Sequence, residues 1–389
     1  MKGRKTYSTL FLSLALSAAL VFPGAAAEAA GSDIPDGTQQ EKNAGLSDNV
    51  LEYSELQDMI SSYNPTVQEV ADSRNRTVAQ YEDAWSELKL YQGRVSTDID
   101  QAKDSGNMEE HSYYKAQEQT YKAAASSYYK MLDRMNTASS TSTQRQVTRQ
   151  MTVAAQSLMV SYETLRQQRD TLLKMRELYT AQYQLGQVKE QTGLATSVDV
   201  LSLKNQVLTA ESSLATVEEN MESLYSSLCL MVGREPDGSL EIASIPSADL
   251  TRISAMDLEA DTQKAIGNNY TLMSDRHSLN VNSTSSSQYK LRTMEHGEQK
   301  LTSEMKRLYE DVLLKKDALE QAQTGYEKAR QTKQQADIKY GAGMLSREDY
   351  LREELSCIQK EADLKAADLA LEQALDTYDW AVLGIADVE

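Results

Sequence analysis

The sequence predicts an all-α protein built of long antiparallel coiled-coil helical hairpins in two tandem repeats. The chain has 389 residues, and its five prolines leave two long gaps, one from Pro65 to Pro236 and one after Pro246. Both gaps are rich in Ala, Leu, Gln, Glu and Lys, and the only phenylalanines are Phe11 and Phe22. Because proline interrupts a helix whereas these five residue types favour one, the gaps predict long helices rather than sheets. Apolar residues make up 40% of the chain, enough for these helices to pack together.

The first 29 residues predict a secretory signal peptide. An apolar run, Leu10–Phe22, leads into a string of alanines and follows three basic residues, which are Lys2, Arg4 and Lys5. This three-part layout is typical of a segment that is cleaved during export. An uncleaved membrane anchor is the alternative. The sequence therefore predicts an exported protein of the extracytoplasmic cell envelope, in which residues 30–50 form a flexible polar lead-in.

The acidic charge and the few cysteines exclude several classes of protein. A formal net charge of −18 has the wrong sign for binding nucleic acid, and two cysteines are too few for a zinc ribbon or a disulfide-stapled domain. His111, His277 and His296 lack the spacing of metal ligands. Cys229 and Cys357 are more typical of small core residues than of nucleophiles, and the sequence leaves their pairing open. We therefore predict that the protein is not an enzyme and has no catalytic residues, metal ligands or cofactor site.

A short motif occurs twice, 150 positions apart. Residues 193–201 read Gly-Leu-Ala-Thr-Ser-Val-Asp-Val-Leu, and residues 343–351 read Gly-Met-Leu-Ser-Arg-Glu-Asp-Tyr-Leu. Apolar residues at alternating steps of three and four accompany the first copy, which predicts the buried stripe of a coiled coil. They are Val200, Leu203, Val207, Ala210, Leu214, Val217, Met221, Leu224, Leu228 and Met231. The last six positions recur in phase after the second copy, as Leu364, Ala367, Leu371, Ala374, Tyr378 and Ala381.

This repetition defines the predicted domain organisation. The first helical repeat covers residues 51–232 and has its tip near 186–199, and the second covers 251–389 and has its tip near 341–349. Residues 233–250 form a linker that holds two prolines. Apolar residues alternate within the linker and predict a short extended segment; they are Leu240, Ile242 and Ile245.

The first repeat contains additional residues, about 64–137. Tyrosines recur there every seven residues, in phase with apolar positions, which predicts a helix stripe; they are Tyr114, Tyr121 and Tyr128. The Asp-Ser-Gly-Asn sequence at 104–107 predicts a turn within this region. Polar Ser/Thr-rich segments at 138–143 and 282–287 predict the ends of the hairpins opposite to the tips.

Each copy of the motif has the residues of a tight turn between two helices. The glycine can adopt the left-handed conformation that ends a helix. The Thr or Ser three residues later is placed to cap the next helix, and the Asp after it completes a capping-box-like start. The two aspartates have two interpretations, capping alone or capping with an added role in binding. The six tip residues are Gly193, Thr196, Asp199, Gly343, Ser346 and Asp349.

Export, two tandem helical hairpins and a Gly-x-x-Ser/Thr-x-x-Asp tip together resemble the TolC, or outer-membrane efflux, family. Tyr63-Asn64-Pro65 is similar to the Asn-Pro helix start of that family, and Asn268-Asn269-Tyr270 is a weaker second copy. The resemblance covers about residues 50–384. It implies a homotrimer whose hairpins form a hollow tube, and a tube end that docks a periplasmic adaptor (membrane fusion) protein coupled to an ABC or proton-driven pump. It also implies that the six tip residues contact this adaptor.

The chain departs from the family pattern in two places. Family members carry a pair of membrane β-strands in each half, whereas residues 138–143 and 282–287 predict short polar turns without the alternation of such strands. The sequence therefore predicts a TolC-like protomer without membrane β-strands, and the outer-membrane location of the family does not follow from its residues. At the tube entrance, Leu345 and Arg352 occupy positions where the family has an arginine and a further acidic residue.

Two functions are consistent with these patterns. The first is a passive channel component of an efflux or type I secretion system. The second is a non-conducting coiled-coil scaffold or spacer of the cell envelope. A trimer with an open bore would favour the first function, and a monomer or dimer with a filled core would favour the second.

Overall fold

The computed structural model describes residues 48–136, 141–278 and 284–386. The predicted signal peptide and almost all of the predicted lead-in lie outside these ranges. Val50, the last residue of that lead-in, forms a strand with Leu51, whose side chain is fully buried.

The described residues form ten α-helices, one 3-10 helix and two short strands. In the first half these are β1 (Val50–Leu51), the 3-10 helix (Tyr53–Glu55), α1 (Leu56–Tyr63), α2 (Pro65–Asp104), α3 (Met108–Met135), α4 (Ser142–Gln191) and α5 (Ser197–Met231). In the second half they are β2 (Glu241–Ile242), α6 (Leu250–Ala255), α7 (Leu258–Asn268), α8 (Tyr270–Ser278), α9 (Thr284–Gly341) and α10 (Arg347–Val382). The predicted all-α class is therefore confirmed.

The long helices pair into three antiparallel hairpins, α2 with α3, α4 with α5, and α9 with α10. The last two hairpins pack side by side through α4 and α10. Their four helices therefore lie in the order α5, α4, α10, α9, with α5 and α9 at the two edges of the layer. This order leaves the outer faces of two different helices, α5 and α9, at the edges of the layer.

The predicted coiled-coil stripe is confirmed. Six of its ten positions on α5 are buried and the other four are half-buried. On α10 the four positions farthest from the tip are buried, and Leu364 and Ala367 are half-buried. Small residues let helices approach closely, as where the buried Gly186 of α4 faces Leu203 of α5.

Each repeat has its own hydrophobic core at the end of the hairpin away from the tip. The first core joins α1, α4, α5 and the strand pair, and it holds Leu51, Met159, Leu228, Cys229 and Ile242. The second core joins α7, α8, α9 and α10. The strands are parallel and pair Val50 with Glu241 and Leu51 with Ile242. Cys229 is therefore a buried core residue, as predicted, and both it and Cys357 are free thiols.

The additional residues of the first repeat form the hairpin of α2 and α3, and the predicted turn at 104–107 is confirmed. Gly106 has a φ of 75°, and Asn107 caps α3 by accepting a hydrogen bond from the Glu110 N–H at 3.2 Å. Aromatic rings pack between the helices, including Tyr91 against Tyr121 at 5.8 Å between ring centroids.

The described parts of the two predicted polar turns are mostly helical. Residues 138–140 and 282–283 lie outside the described ranges, but 142–143 already belong to α4 and 284–287 to α9. Ser and Thr are favourable at helix starts, which explains how these residues extend the helices. Within the described ranges, no helix combines the length and apolar character that a membrane span requires.

An asparagine caps the helix that follows α1 in the first repeat and the helix that follows α7 in the second. Asn64 is 2% exposed, and its Oδ1 accepts hydrogen bonds from the N–H groups of Thr66 and Val67 at the start of α2. Asn269 does the same for the N–H of Leu272 in α8. The Asn-Pro helix start and its weaker second copy are thus equivalent in geometry, although only the first contains proline.

Candidate functional site: the two hairpin tips

The turn between α4 and α5 has the hydrogen bonds of a Schellman motif. Gly193 has a φ of 74°, the left-handed region that glycine adopts most readily. Its N–H donates to the carbonyl of Glu190 at 2.9 Å, and the N–H of Leu194 donates to the carbonyl of Lys189 at 2.7 Å. These backbone N–H groups satisfy the last carbonyl groups of α4, and the Thr192 hydroxyl also donates to the carbonyls of Val188 at 3.1 Å and Lys189 at 3.0 Å.

The turn between α9 and α10 repeats this arrangement. Gly343 has a φ of 73°, and its N–H donates to the carbonyl of Tyr340 at 3.0 Å. The N–H of Met344 donates to the carbonyl of Lys339 at 2.8 Å. The repeated motif of the sequence thus corresponds to a repeated backbone geometry.

At the first tip, Thr196 and Asp199 form a complete capping box. The Thr196 hydroxyl oxygen accepts from the Asp199 N–H at 3.2 Å, and Asp199 Oδ2 accepts from the Thr196 N–H at 3.0 Å. The Thr196 hydroxyl also donates to Asp199 Oδ2 at 2.7 Å. These backbone and side-chain hydrogen bonds from Thr196 lower the pKa of Asp199. The capping interpretation of Asp199 is confirmed.

At the second tip, Ser346 caps α10, and its hydroxyl donates to Asp349 Oδ2 at 2.7 Å. The other oxygen of Asp349 accepts from Arg352 at 3.0 Å. Arg352, which replaces an acidic residue of the family pattern, therefore neutralises the tip aspartate of the second repeat. The two tips differ in charge although they share a fold.

The structure brings the two tips together. Lys189 of α4 forms an ion pair with Glu348 of α10, and Arg352 lies 3.7 Å from Glu348. A groove of about 710 Å³ opens beside this pair, between α5 and α10, and α4 forms its floor. Leu194, Asp199, Glu348 and Arg352 are among the residues that line it. All six predicted tip residues are exposed except Asp349, which is half-buried.

The sequence patterns did not single out the apolar residues that the tips expose. Leu194 is 79% exposed and Met344 is 73% exposed, and each directly follows the tip glycine. Val198, in the first turn of α5, is 73% exposed. Leu194 and Met344 hold the same position in the two motifs, and this repetition was the signal that could have singled them out. An apolar residue after the glycine commonly packs back onto its own helix. Here that helix offers lysine at the equivalent position in both tips, Lys189 and Lys339.

The tips expose apolar side chains beside polar ones. Their polar side chains are occupied in capping and ion pairs. Within the described ranges, no cluster of three or more His, Cys, Asp or Glu side chains could hold a metal ion. His296 is exposed, His111 is half-buried in α3, and the side chain of His277 lies outside the described residues.

Comparison with solved structures identifies the fold. The chain is similar to CusC, a protein described as forming a transmembrane channel: the TM-score is 0.51 at 13% identity, over 85% of this chain and 96% of CusC. Two further proteins match with lower TM-scores. They are the outer-membrane protein VceC of Vibrio cholerae (TM-score 0.46, 11% identity, 85% and 96% covered) and the outer-membrane channel CmeC of Campylobacter jejuni (TM-score 0.46, 12% identity, 96% of both chains covered).

No protein-family model matches the sequence, and a search of curated proteins gave no match. At 13% identity, the similarity to CusC establishes the fold alone. The predicted TolC-like fold is thereby confirmed. The roles of the six tip residues in binding stay predictions.

Proposed function

We propose that this protein is a passive channel component of an efflux or type I secretion system, exported to the cell envelope, and that its hairpin tips dock an adaptor protein. The observation that carries the proposal is the open helical layer, α5–α4–α10–α9, in a chain with a TolC-like fold. Such a layer leaves two unlike edges, α5 and α9, and we expect adjacent copies of the chain to cover them. The proposed mechanism is shielding of an aqueous path and uses no catalytic group.

Apolar side chains exposed on both edges support a ring of identical chains. On α5, Leu201 is 58% exposed, and on α9, Ile338 is 71% exposed. Leu201 follows the first tip glycine by eight residues and Ile338 precedes the second by five, so the two lie at similar heights above the tips. An interface between unlike edges is head-to-tail, and it produces a closed ring when the rotation between copies closes. The family resemblance implies three copies.

The tips offer the features of a partner-binding surface. Leu194, Val198 and Met344 expose apolar surface at the tips, and Leu194 lines the groove together with Lys189 and Glu348, which form an ion pair. An apolar patch with a polar rim marks an interaction site in soluble proteins. The partner we propose is an adaptor of the membrane fusion type, coupled to an ABC or proton-driven pump.

Assembly tests the proposal against its alternative, a non-conducting scaffold of the cell envelope. Light scattering should give a homotrimer for the purified exported chain, and electron microscopy should show an open bore. A monomer or dimer whose helices leave no bore would overturn the conduit and support the scaffold.

A further inference from the structure

Arg252 of α6 lies opposite three carboxylates of α10. Its Nη1 donates to Glu372 Oε1 at 2.9 Å, and its Nη2 donates to Asp376 Oδ1 at 2.9 Å and to Asp379 Oδ2 at 2.6 Å. The hydroxyl of Tyr53, in the 3-10 helix, donates to the second oxygen of Asp376. The cluster therefore connects α10 to two segments outside the hairpins, the 3-10 helix before α1 and the helix that follows the linker.

The negative charge in this cluster exceeds the positive charge. One guanidinium faces three carboxylates, and these differ in exposure: the Asp379 side chain is 55% exposed, that of Asp376 17% and that of Glu372 9%. Glu372 Oε2 is buried and has no hydrogen-bond partner. An ionised carboxylate with a buried, unpaired oxygen is unfavourable, and uptake of a proton is the smallest change that removes its charge.

The neighbouring carboxylates of α10 favour the same outcome. On α10, Asp368 adds negative charge one turn before Glu372, and Asp376 adds it one turn after. On α4, Glu163 and Arg166 line a neighbouring groove together with Asp368 and Lys365. Burial, followed by Asp376, raises the pKa of Glu372, and Arg252 opposes this shift. Burial and Asp376 also raise the pKa of Tyr53, so its hydroxyl keeps the proton that it donates.

We propose that Glu372 is a proton-binding residue and that this cluster is a pH-sensitive joint between α10 and the segments containing Tyr53 and Arg252. When Glu372 releases its proton to solvent, the new charge repels Asp376 and competes with it for Arg252. Asp376 accepts a hydrogen bond from Tyr53, so the ionisation loosens the contact between the 3-10 helix and α10. The proposal does not depend on the conduit function.

The direction of the pH effect follows from linkage. The pKa of Glu372 is raised in the folded protein, so folding favours its protonated form. Its contribution to stability is complete below the unfolded pKa and is lost as the pH rises through the folded pKa. Glu372→Gln resembles the protonated side chain and does not titrate, so it should remove this loss.

Thermal unfolding of the full exported chain tests the joint. Between about pH 4 and about pH 9, the Tm of the E372Q variant should rise above that of the unchanged protein as the pH increases, by a few degrees at the alkaline end. Glu219→Gln is the matched control, because it makes the same substitution at an exposed glutamate of α5 outside the cluster and should leave the pH dependence in place. A Tm difference between E372Q and the unchanged protein that is the same at every pH would overturn the proposal.

Infrared spectroscopy of the unchanged protein provides a readout that does not require any variant to fold. A band of a protonated carboxylic acid should persist at a pH where ordinary glutamates are ionised, and its loss at higher pH should accompany faster hydrogen exchange around Tyr53. If no such band exists at a pH where ordinary glutamates are ionised, Glu372 does not hold the proton and the joint is not pH-sensitive.

Discussion

Gly233 lies against the backbone carbonyl of Tyr63, so closely that a Cβ atom at residue 233 would be 2.4 Å from the carbonyl oxygen. Gly384 has the same relation to Asn268, at 2.2 Å. Both glycines have positive φ angles, 68° and 94°. The second helix of each tip hairpin, α5 or α10, is therefore followed by a glycine that contacts the residue before the capping asparagine of its own repeat. Only glycine fits, because both the backbone angle and the space exclude a side chain.

Replacing Gly233 by alanine should destabilise the protein by about 2 kcal/mol or more, since the left-handed strain alone costs about 1–3 kcal/mol and the contact with Tyr63 adds to it. Chemical denaturation of the exported chain measures the effect. Gly93→Ala is the control, because Gly93 lies in α2 with a helical backbone and no atom within 4 Å of the added Cβ. That variant should gain about 0.5–1 kcal/mol. Equal effects at both glycines would contradict the close-contact explanation.

Asn64 should stabilise the folded protein through both ends of its side-chain amide. Its Oδ1 caps α2, and its Nδ2 donates to the carbonyl of Met231 at 2.8 Å. Asn64→Ala should cost about 2–4 kcal/mol, because it removes the cap and leaves a carbonyl without its partner. Asn64→Ser keeps a capping oxygen but is too short to reach Met231, so it should cost about half as much. Denaturant titration of the two variants separates the effects, and an equal cost for both would assign the whole contribution to Met231.

The exposed apolar residues of the tips should determine adaptor binding. The double variant L194S/M344S removes apolar surface without touching a cap, so it should weaken adaptor capture and export while circular dichroism stays unchanged. Leu90→Ser is the control, because Leu90 is 65% exposed on α2, away from the tips. Undiminished capture by the tip variant would exclude this surface as the docking site.

The two tip aspartates provide a separate test of the binding role. D199A/D349A should also weaken adaptor association, and overall helicity should not change because each helix keeps its coiled-coil packing. Because Asp199 closes a complete capping box and Asp349 also binds Arg352, amide exchange at the tips should be measured in the same variant. Export at the unchanged level would leave the aspartates with capping alone.

The capping box of the first tip should respond to acid. Hydrogen bonds from Thr196 lower the folded pKa of Asp199, so its stabilising contribution is present above the unfolded pKa of about 4 and is lost as the pH falls through the folded pKa. Amide exchange near residues 196–199 should therefore accelerate in acid relative to the middle of α5. In Asp199→Asn the same amides should show no such transition.

Charges placed on the edges of the layer should test the head-to-tail ring. Leu201→Lys or Ile338→Glu alone should weaken assembly, because each places a charge in the proposed interface. The double variant carries lysine on one edge and glutamate on the other, so opposite charges would meet between copies and restore the ring. Light scattering reports all three. If a mixture of the two single variants forms the ring but the double variant does not, the interface is not head-to-tail.

The backbone geometry of the tips was predictable because it depends on residues that are close together in the sequence. Glycine, a hydroxyl residue and an acid within seven positions specify a Schellman end and a helix cap, and both copies adopt that geometry. The Arg252 cluster was not predictable in this way. Arg252 and Tyr53 lie 120 or more positions from the carboxylates of α10, and no periodic pattern links them to those carboxylates.

The sequence by itself determined the helices, their turns and the buried stripes, because propensity, capping and periodicity act over a few residues. Only the tertiary structure decided that α4 packs on α10, that α5 and α9 remain at the edges, and that three carboxylates face one arginine. The physical reason is that many amphipathic helices could pack on one another. The choice among them depends on the fit of distant surfaces, such as Gly233 against Tyr63, which no local pattern encodes.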